Sequence, residues 1–374
     1  MTEKILILTP FFSPNIGGVE SHLDDLVAEL NRRKISSYVL TYSALTTKTS
    51  FLSNETRNYC QIKRFHWFGH QLFPKVEKYP LLDFLYLTPY LLFRSFFWLL
   101  FNKNKISIIH SQGFNAAFIG NILAKIFHLK HLCSTHAIYE NINGLSRFLT
   151  IKVLSNCDKI LCLSNASVQQ LTKWGIDSHK VSLYRYWINL KNFSPRKISS
   201  SKPIFLFVGR LISKKGISIY LKLASKYPQF RFNIAGTGPM EEQVKYSAQK
   251  YQNIHYFGAL ANSDLPNIYR QSSILCMTTQ YPEGYGRVLM ESVACGLPVI
   301  GSNLGAIPEA LDDSVSILFK PTINNFVKNI NLIVKKPDVY KSLQKKCRSY
   351  AIKNFSIKNF ETIFKTYQSL LNTN

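Results

Sequence analysis

Glu283 and Glu291, with seven residues between them, stand in the stretch YPEGYGRVLMESVACGLPVIGSN, Tyr281 to Asn303. Glu283 sits in a glycine-rich loop, where Gly284 and Gly286 let the backbone come close to a ligand. The pattern predicts a helix that starts near Arg287 and ends at Gly296, a good C-terminal cap before the next strand. The free N–H groups and dipole of such a helix start suit an anionic or polyhydroxylated ligand. Glu291 lies one turn inside and can reach a second part of the same ligand. Carboxylates only accept hydrogen bonds, so two of them over a loop of amide donors match the hydroxyl array of a sugar. The same stretch also reads as a strand, loop and helix with two solvated glutamates.

A second set of residues lies in FVGRLISKKG, Phe207 to Gly216. Arg210 ends a strand, and Lys214 and Lys215 close the loop before a helix at Gly216. Arginine and lysine converging on a helix start can hold a diphosphate without a metal; ordinary surface charge at a loop has the same pattern. The Walker A pattern GxxxxGK[ST] is absent. GTGP, Gly236 to Pro239, ends the next strand and is a weak signal by itself. Gly17 and Gly18 follow the first strand without the full GxGxxG, which argues against a dinucleotide site but leaves an anion-friendly helix start. His110 and His136 each end a strand, His22 lies on the first helix, and His128 and His131 are three apart. None of these has metal-ligand spacing, and neither HExxH nor Asp-x-Asp occurs, so no metal and no cofactor is expected.

These residues need a frame. Lys4–Thr9, Ile35–Thr41, Ile106–His110, Leu129–Thr135 and Lys159–Leu163 read as strands, with amphipathic helices from Val19 and Ala116 between them. The polar run SPRKISSSK, Ser194 to Lys202, is the best linker. The pattern then restarts, with strands at Ile204–Val208, Phe230–Gly236, Ile254–Phe257, Ile274–Thr278 and Pro298–Ile300. Strands alternating with helices mean two doubly wound parallel sheets in tandem. Ligands in such sheets bind at the carboxyl ends of the strands, so the natural site is a cleft between the domains. Lys336 to Asn374 predicts helices, the last from Ile357 to Leu371, without a chemical motif.

The chain has 374 residues, 46% of them apolar and 18% charged, which fits two domains and excludes disorder by composition. Its 46 basic and 21 acidic residues give a net charge of +25. Such a charge implies an anionic partner: nucleic acid, an anionic membrane face or a phosphorylated substrate. Nucleic-acid motifs are absent. Seven scattered cysteines without CxxC read as reduced, mostly buried thiols of a cytoplasmic protein. The opening MTEKILILTPFF reads as a first strand and not a signal peptide.

Tyr79 to Phe101, YPLLDFLYLTPYLLFRSFFWLLF, is long and apolar enough to span a bilayer. Asp83 and Arg94 interrupt it, and Pro80 and Pro89 break helix continuity. A helix packed in the core with some exposed face, or one lying on a membrane surface, fits better than a span. Trp98, Phe96 and Phe97 would settle at a headgroup boundary, and Lys75, Lys78, Lys103 and Lys105 flank the segment.

In joint order these stretches resemble the retaining glycosyltransferases of family 4, which have the GT-B fold. The resemblance runs through FFSPNIGGVESH, IIHSQ, STH, CDKILCLS, VGRLISKKG, IAGTGP, FGAL, EGYGRVLMESVACGLPVIGSN and GAIPE, over nearly the whole chain. It implies two Rossmann-like domains facing across a cleft: residues 1–195 on the acceptor side, residues 203–355 binding the nucleotide sugar, and residues 356–374 as a helix crossing back to the first domain. It implies transfer of a sugar from a UDP-, GDP- or ADP-sugar to a lipid-linked or glycan acceptor, with no divalent metal. Arg210 and Lys215 would hold the donor diphosphate, and Glu291 the ribose hydroxyls. Glu283, with the backbone of Gly284, Tyr285 and Gly286, would hold the donor sugar, near Gly236, Val288 and Leu289. Gly18 would approach the phosphate, and His136 would sit by the sugar, catalytic together with Glu283, Arg210 and Lys215. Retention without an evident nucleophile implies front-face attack, the leaving phosphate oxygen taking the acceptor proton. An anionic membrane surface is a possible partner on this reading, with the protein cytoplasmic or peripheral on the inner face. The sequence YRYWINLKNF, Tyr184 to Phe193, departs from the family, which has an Asn-Gly-Val-Asp-like turn there. A GT-B sugar-nucleotide epimerase and a non-enzymatic polyanion-binding protein are the alternative readings.

Overall fold

The computed structural model describes residues 4–46, 50, 52–68, 72–77, 79–136, 138, 144–195 and 202–372. Lys78 and most of the expected linker, residues 196–201, lie outside them. The chain forms two compact units, Met1–Arg185 with Asn359–Asn374, and Tyr186–Lys358.

Among the described residues the first unit holds an eight-stranded sheet: β1 Lys4–Leu8, β2 Ser36–Tyr42, β3 Asn54–Arg57, β4 Cys60–Phe65, β5 Ile108–Gln112, β6 Lys130–Thr135, β7 Lys159–Cys162 and β8 Val181–Leu183. Their order is β3-β4-β2-β1-β5-β6-β7-β8. All neighbours are parallel except β3 and β4. Ile5 to Leu8 are wholly buried, as a central parallel strand covered on both faces requires. The β3–β4 hairpin escapes sequence reading because Asn-Glu-Thr-Arg has no apolar run. Its turn is marked only by Asn58, which takes the left-handed conformation at φ 51°.

The second unit holds a fully parallel six-stranded sheet: β9 Ile204–Val208, β10 Arg231–Ala235, β11 Ile254–Tyr256, β12 Ile274–Met277, β13 Val299–Ser302 and β14 Ser316–Phe319. The order is β11-β10-β9-β12-β13-β14. Its core stacks Phe205 on Phe232, with Tyr220 edge-on. Strand order reverses between β9 and β12 here, and between β1 and β5 in the first unit. These are the switch points where the loops part and leave room for a ligand.

The glycine-free stretch before the linker belongs to the second unit from Tyr186 onward. Tyr186, Trp187 and Ile188 are buried, and the Ile188 N–H donates to Phe355 O. Arg348 donates to the carbonyls of Leu190 and Phe193, strapping the segment down. The last helix, Phe360–Asn372, packs in the first unit, as a helix crossing back to the first domain requires. Phe360, Ile363, Tyr367 and Leu370 form its buried stripe. Tyr367 Oη lies 2.6 Å from His110 Nδ1, and the Arg33 guanidinium lies 4.7 Å over the rings of both Phe360 and Phe364. Arg33 also forms an ion pair with Glu361.

The apolar segment forms the helices Pro80–Leu87 and Pro89–Asn102. As the sequence predicts, Pro89 starts a new helix, with Thr88 as the single residue between the two. Thr88 keeps right-handed helical angles (φ −96°, ψ −53°), its N–H donates to Phe84 O, and its carbonyl accepts from Leu92 N–H. Pro89 occupies the first helical position, where a missing N–H costs nothing. The rod as a whole is long and apolar enough to cross a bilayer by length and composition. Yet Leu87, Leu91 and Leu99 are buried in the core of the first unit, so one face already has a protein partner.

Candidate active site

In the second unit three loops meet along one edge of the sheet, at the carboxyl ends of the adjacent strands β10, β9 and β12. The loop after β9 carries Arg210, exposed, and Lys215, half-buried. It is pinned to the end of β12: Thr278 Oγ1 donates to Lys215 O at 2.9 Å and the Gln280 N–H to Lys214 O at 2.8 Å. Gly216 closes it at φ 72°, and a Cβ there would lie 1.9 Å from Thr278 O. The GTGP loop lies on the other side. A Cβ on Gly236 would lie 1.9 Å from Gly209 O, so only glycine lets the two loops touch. The Leu211 N–H donates to Thr237 O at 2.9 Å across the same contact.

The loop after β12 presents Glu283. Its backbone pairs with Gly305, and its carbonyl accepts from the Ala306 N–H at 2.9 Å. Glu283, 7% exposed, forms an ion pair through its side chain with Lys215. The Lys215 ammonium also lies 5.5 Å over the Tyr281 ring. Burial alone would depress the ammonium's pKa, but the carboxylate of Glu283 and the neighbouring Tyr281 outweigh it and the net shift is upward. Lys215 therefore carries its charge at neutral pH. The residue predicted to hold a diphosphate and the residue predicted to hold a sugar are thus in contact, brought together by strands that are neighbours in space and far apart in sequence.

Gly286 opens the helix Arg287–Ala294. Glu291 is buried one turn in, and both its oxygens are engaged: Arg287 Nε donates to one at 2.9 Å and Tyr269 Oη to the other at 3.0 Å. Burial first, and then this carboxylate, hold the Tyr269 hydroxyl well above its ordinary pKa. Glu291 is not the free acceptor that its spacing suggests; it is the centre of a buried triad. Gly284 and Val288 are half-buried beside the loop. Tyr285 packs its ring edge-on to Phe355, leaving its backbone to the loop. Leu289 is wholly buried and its N–H donates to Gly286 O, so it lines the core behind the loop.

Gly18 and His136 belong to the first unit. Gly18 is exposed at the start of the helix Gly18–Arg32, after β1. His136 follows β6, and its Nε2 lies 2.9 Å from Gln112 Oε1 at the end of β5. Burial lowers the His136 pKa to about 4, so the ring is neutral at physiological pH. His22, one turn along the helix from Gly18, stacks edge-on at 6.3 Å from His136. Sequence reasoning missed Gln112. Its only signal is its place as the last residue of a strand at the switch point. His110, in contrast, is structural: Tyr367 and Ser134 take both its ring nitrogens, and burial lowers its pKa to about 3. Among the described residues no three of His, Cys, Asp or Glu cluster as a metal site would require. All seven cysteines are buried thiols.

Residues 16–191 match the family described as Glycosyltransferase Family 4, and residues 190–354 the family described as Glycosyl transferases group 1. A human relative, one of the subunits of phosphatidylinositol N-acetylglucosaminyltransferase, is 26% identical over 345 residues, covering 88% of this chain and 68% of its own. Sucrose-phosphate synthase from Thermosynechococcus elongatus superposes with a TM-score of 0.81 at 18% identity, over the whole of both chains. Anabaena HepE, solved in complex with UDP-glucose, superposes at 0.76 with 16% identity, over 98% of this chain and 99% of its own. Two family matches together run from residue 16 to residue 354, on two parallel-sheet units with the expected switch-point loops, and so this protein belongs to the GT-B glycosyltransferases.

Proposed function

We propose that the protein moves a sugar from a nucleoside diphosphate sugar to a lipid-linked or glycan acceptor, with retention at the anomeric carbon and without a divalent metal. The observation that carries this reading is the Lys215–Glu283 ion pair at the β9/β12 switch point. In the folded chain the two groups satisfy each other. A donor's diphosphate would take Lys215, with Arg210, and the sugar's hydroxyls would take Glu283. Both groups are held ready without leaving a buried charge alone. The names of relatives support the substrate classes: one structural neighbour binds UDP-glucose, and the human relative is named for transfer of N-acetylglucosamine to phosphatidylinositol.

On this reading the bond between the anomeric carbon and the diphosphate oxygen breaks, and negative charge grows on the phosphate. Arg210, Lys215 and the N–H groups opening the helix Arg287–Ala294 would receive it, in position before the reaction starts. The acceptor hydroxyl attacks on the same face and passes its proton to the departing phosphate oxygen. Neutral His136, turned by Gln112, hydrogen-bonds the sugar. The buried thiols support a reducing, cytoplasmic setting for this work.

The test is a thermal-shift panel of UDP-, GDP- and ADP-sugars, followed by product analysis with and without acceptor. A donor at 100-fold its Kd should stabilise the protein by about 2.7 kcal/mol. Epimerised donor formed without acceptor would move the reading to an epimerase. No stabilisation by any of the three classes would end it.

A further inference from the structure

The helical rod Pro80–Leu87 and Pro89–Asn102 has two apolar faces. Leu91, Ser95 and Leu99 form the inner stripe, wholly buried against the first unit's core. Phe93, Phe97, Leu100 and Phe101 recur at helical spacing on the other side, at 57%, 46%, 49% and 83% exposed. Leu81, Leu82 and Leu85 continue the exposure one helix earlier. A helix of a water-facing surface carries polar residues on its outer stripe. Here the outer stripe is phenylalanine and leucine over about 30 Å of rod. An apolar strip this long is a docking surface and not scattered exposure.

We infer that this outer face seats the first unit on an anionic bilayer, the rod lying in the plane of the headgroups. The rim selects this occupant. Lys103 and Lys105 are exposed where the rod ends, Lys75 is exposed just before it begins, and Arg94 stacks over Phe65 at 4.9 Å beside the strip. Lys63 joins Arg94, Phe93, Phe97 and Phe101 around one shallow groove. Asp83 is the rod's one acidic residue and bonds Asn115 at 3.2 Å. A second copy of this chain would bring a like-charged rim and a like net charge of +25, which opposes pairing. An anionic leaflet complements both the charge and the apolar strip. The structure also corrects which aromatics do this. Phe96 and Trp98 pack against the core, whereas Phe93, Phe97 and Phe101 face out.

This inference reaches beyond the proposed reaction and can fail separately from it, because nucleotide-sugar stabilisation does not involve the rod. The test is flotation of the full chain with vesicles of phosphatidylglycerol and phosphatidylcholine, and with phosphatidylcholine alone. Wild type should float with the anionic vesicles and less in high salt. Phe93→Ser/Phe97→Ser/Phe101→Ser should melt like wild type and lower the partition coefficient at least roughly tenfold. Lys103→Glu/Lys105→Glu should lower it several-fold on anionic vesicles alone. If the triple variant melts early, Phe101→Ser, the most exposed position, gives the same comparison with a smaller drop. Wild type left in the soluble fraction at low salt overturns the inference. So does triple-variant binding equal to wild type, or a wild-type dimer in light scattering that the triple variant turns into monomer.

Discussion

Glu291 has a structural duty besides the one its spacing suggests. Its carboxylate bridges Arg287 and Tyr269 in a site where it is only 2% exposed. Removing one partner of a buried ion pair leaves the other charge uncompensated, at a cost of about 3–5 kcal/mol. Glu291→Ala should therefore lower the denaturant midpoint substantially, and lost donor binding in that variant would say little about ribose. Glu291→Gln keeps the shape and one acceptor oxygen. It should fold, lose less stability, and bind the donor more weakly by about 1.5–3 kcal/mol, the worth of a charge-assisted hydrogen bond. Calorimetry with the preferred nucleotide separates the two effects. Equal affinity in a folded Gln variant would take Glu291 out of the donor site. Gln112 offers a cleaner case. It touches His136 through its amide oxygen. Gln112→Ala should lower kcat with little change in melting or in donor affinity, because it removes the acceptor that orients the imidazole through Nε2. Gln112→Glu should restore part of the rate, since a carboxylate can accept the same hydrogen bond. A kcat unchanged in the Ala variant would show that His136 needs no such partner.

At the scale of elements, the carboxyl-terminal helix hangs on a titratable contact. His110 bonds Tyr367 and Ser134 while buried and neutral. Its pKa is pushed down to about 3 by burial, with His136 and His131 adding to it, against 6.5 for the free group. The unfolded chain then binds a proton that the folded chain refuses between these values. Stability from this site is complete above pH 6.5 and is lost progressively as the pH falls toward 3. Urea midpoints at pH 7, 5 and 4 should drop steadily, and His110→Gln, which does not titrate, should flatten the slope while lowering the starting stability. An unflattened slope would place the acid sensitivity elsewhere. The same elements show what the sequence discloses. Ile204–Val208 was readable to the residue because a buried parallel strand is a plain apolar run. The β3–β4 hairpin was hidden because its edge strand is polar. The Lys215–Glu283 contact was hidden for another reason: spacing along the chain identifies each loop, but only the β9–β12 adjacency puts them side by side. The joint at Pro89 is legible because proline is at home in the first turn of a helix and not in its interior, so the segment divides there.

For the whole molecule, the distribution of charge decides how the leaving group is neutralised. A diphosphate leaving group needs positive charge near its oxygens, from a metal or from side chains. Metal-using enzymes of this kind present paired carboxylates to hold the ion, and the chain contains no Asp-x-Asp. Its acidic residues number 21 against 46 basic ones, and the acids of the candidate site are already committed, Glu283 to Lys215 and Glu291 to Arg287. A divalent ion entering there would have to displace cations that are covalently part of the chain. The positive charge at the β9/β12 edge is thus fixed in place and carried by Lys215, whose raised pKa keeps it protonated at neutral pH, and by Arg210. Transfer should therefore survive millimolar EDTA with kcat essentially unchanged. Lys215→Ala should lower kcat/KM by on the order of 100-fold or more, the usual loss for one preorganised group on a developing charge. Magnesium or manganese added to the Lys215→Ala variant should not rescue it, because among the described residues no three of His, Cys, Asp or Glu cluster to hold the ion. Loss of wild-type turnover in EDTA, with recovery on adding either ion, would show that the charge comes from a metal after all and that the Lys215–Glu283 pair serves only to hold two loops together.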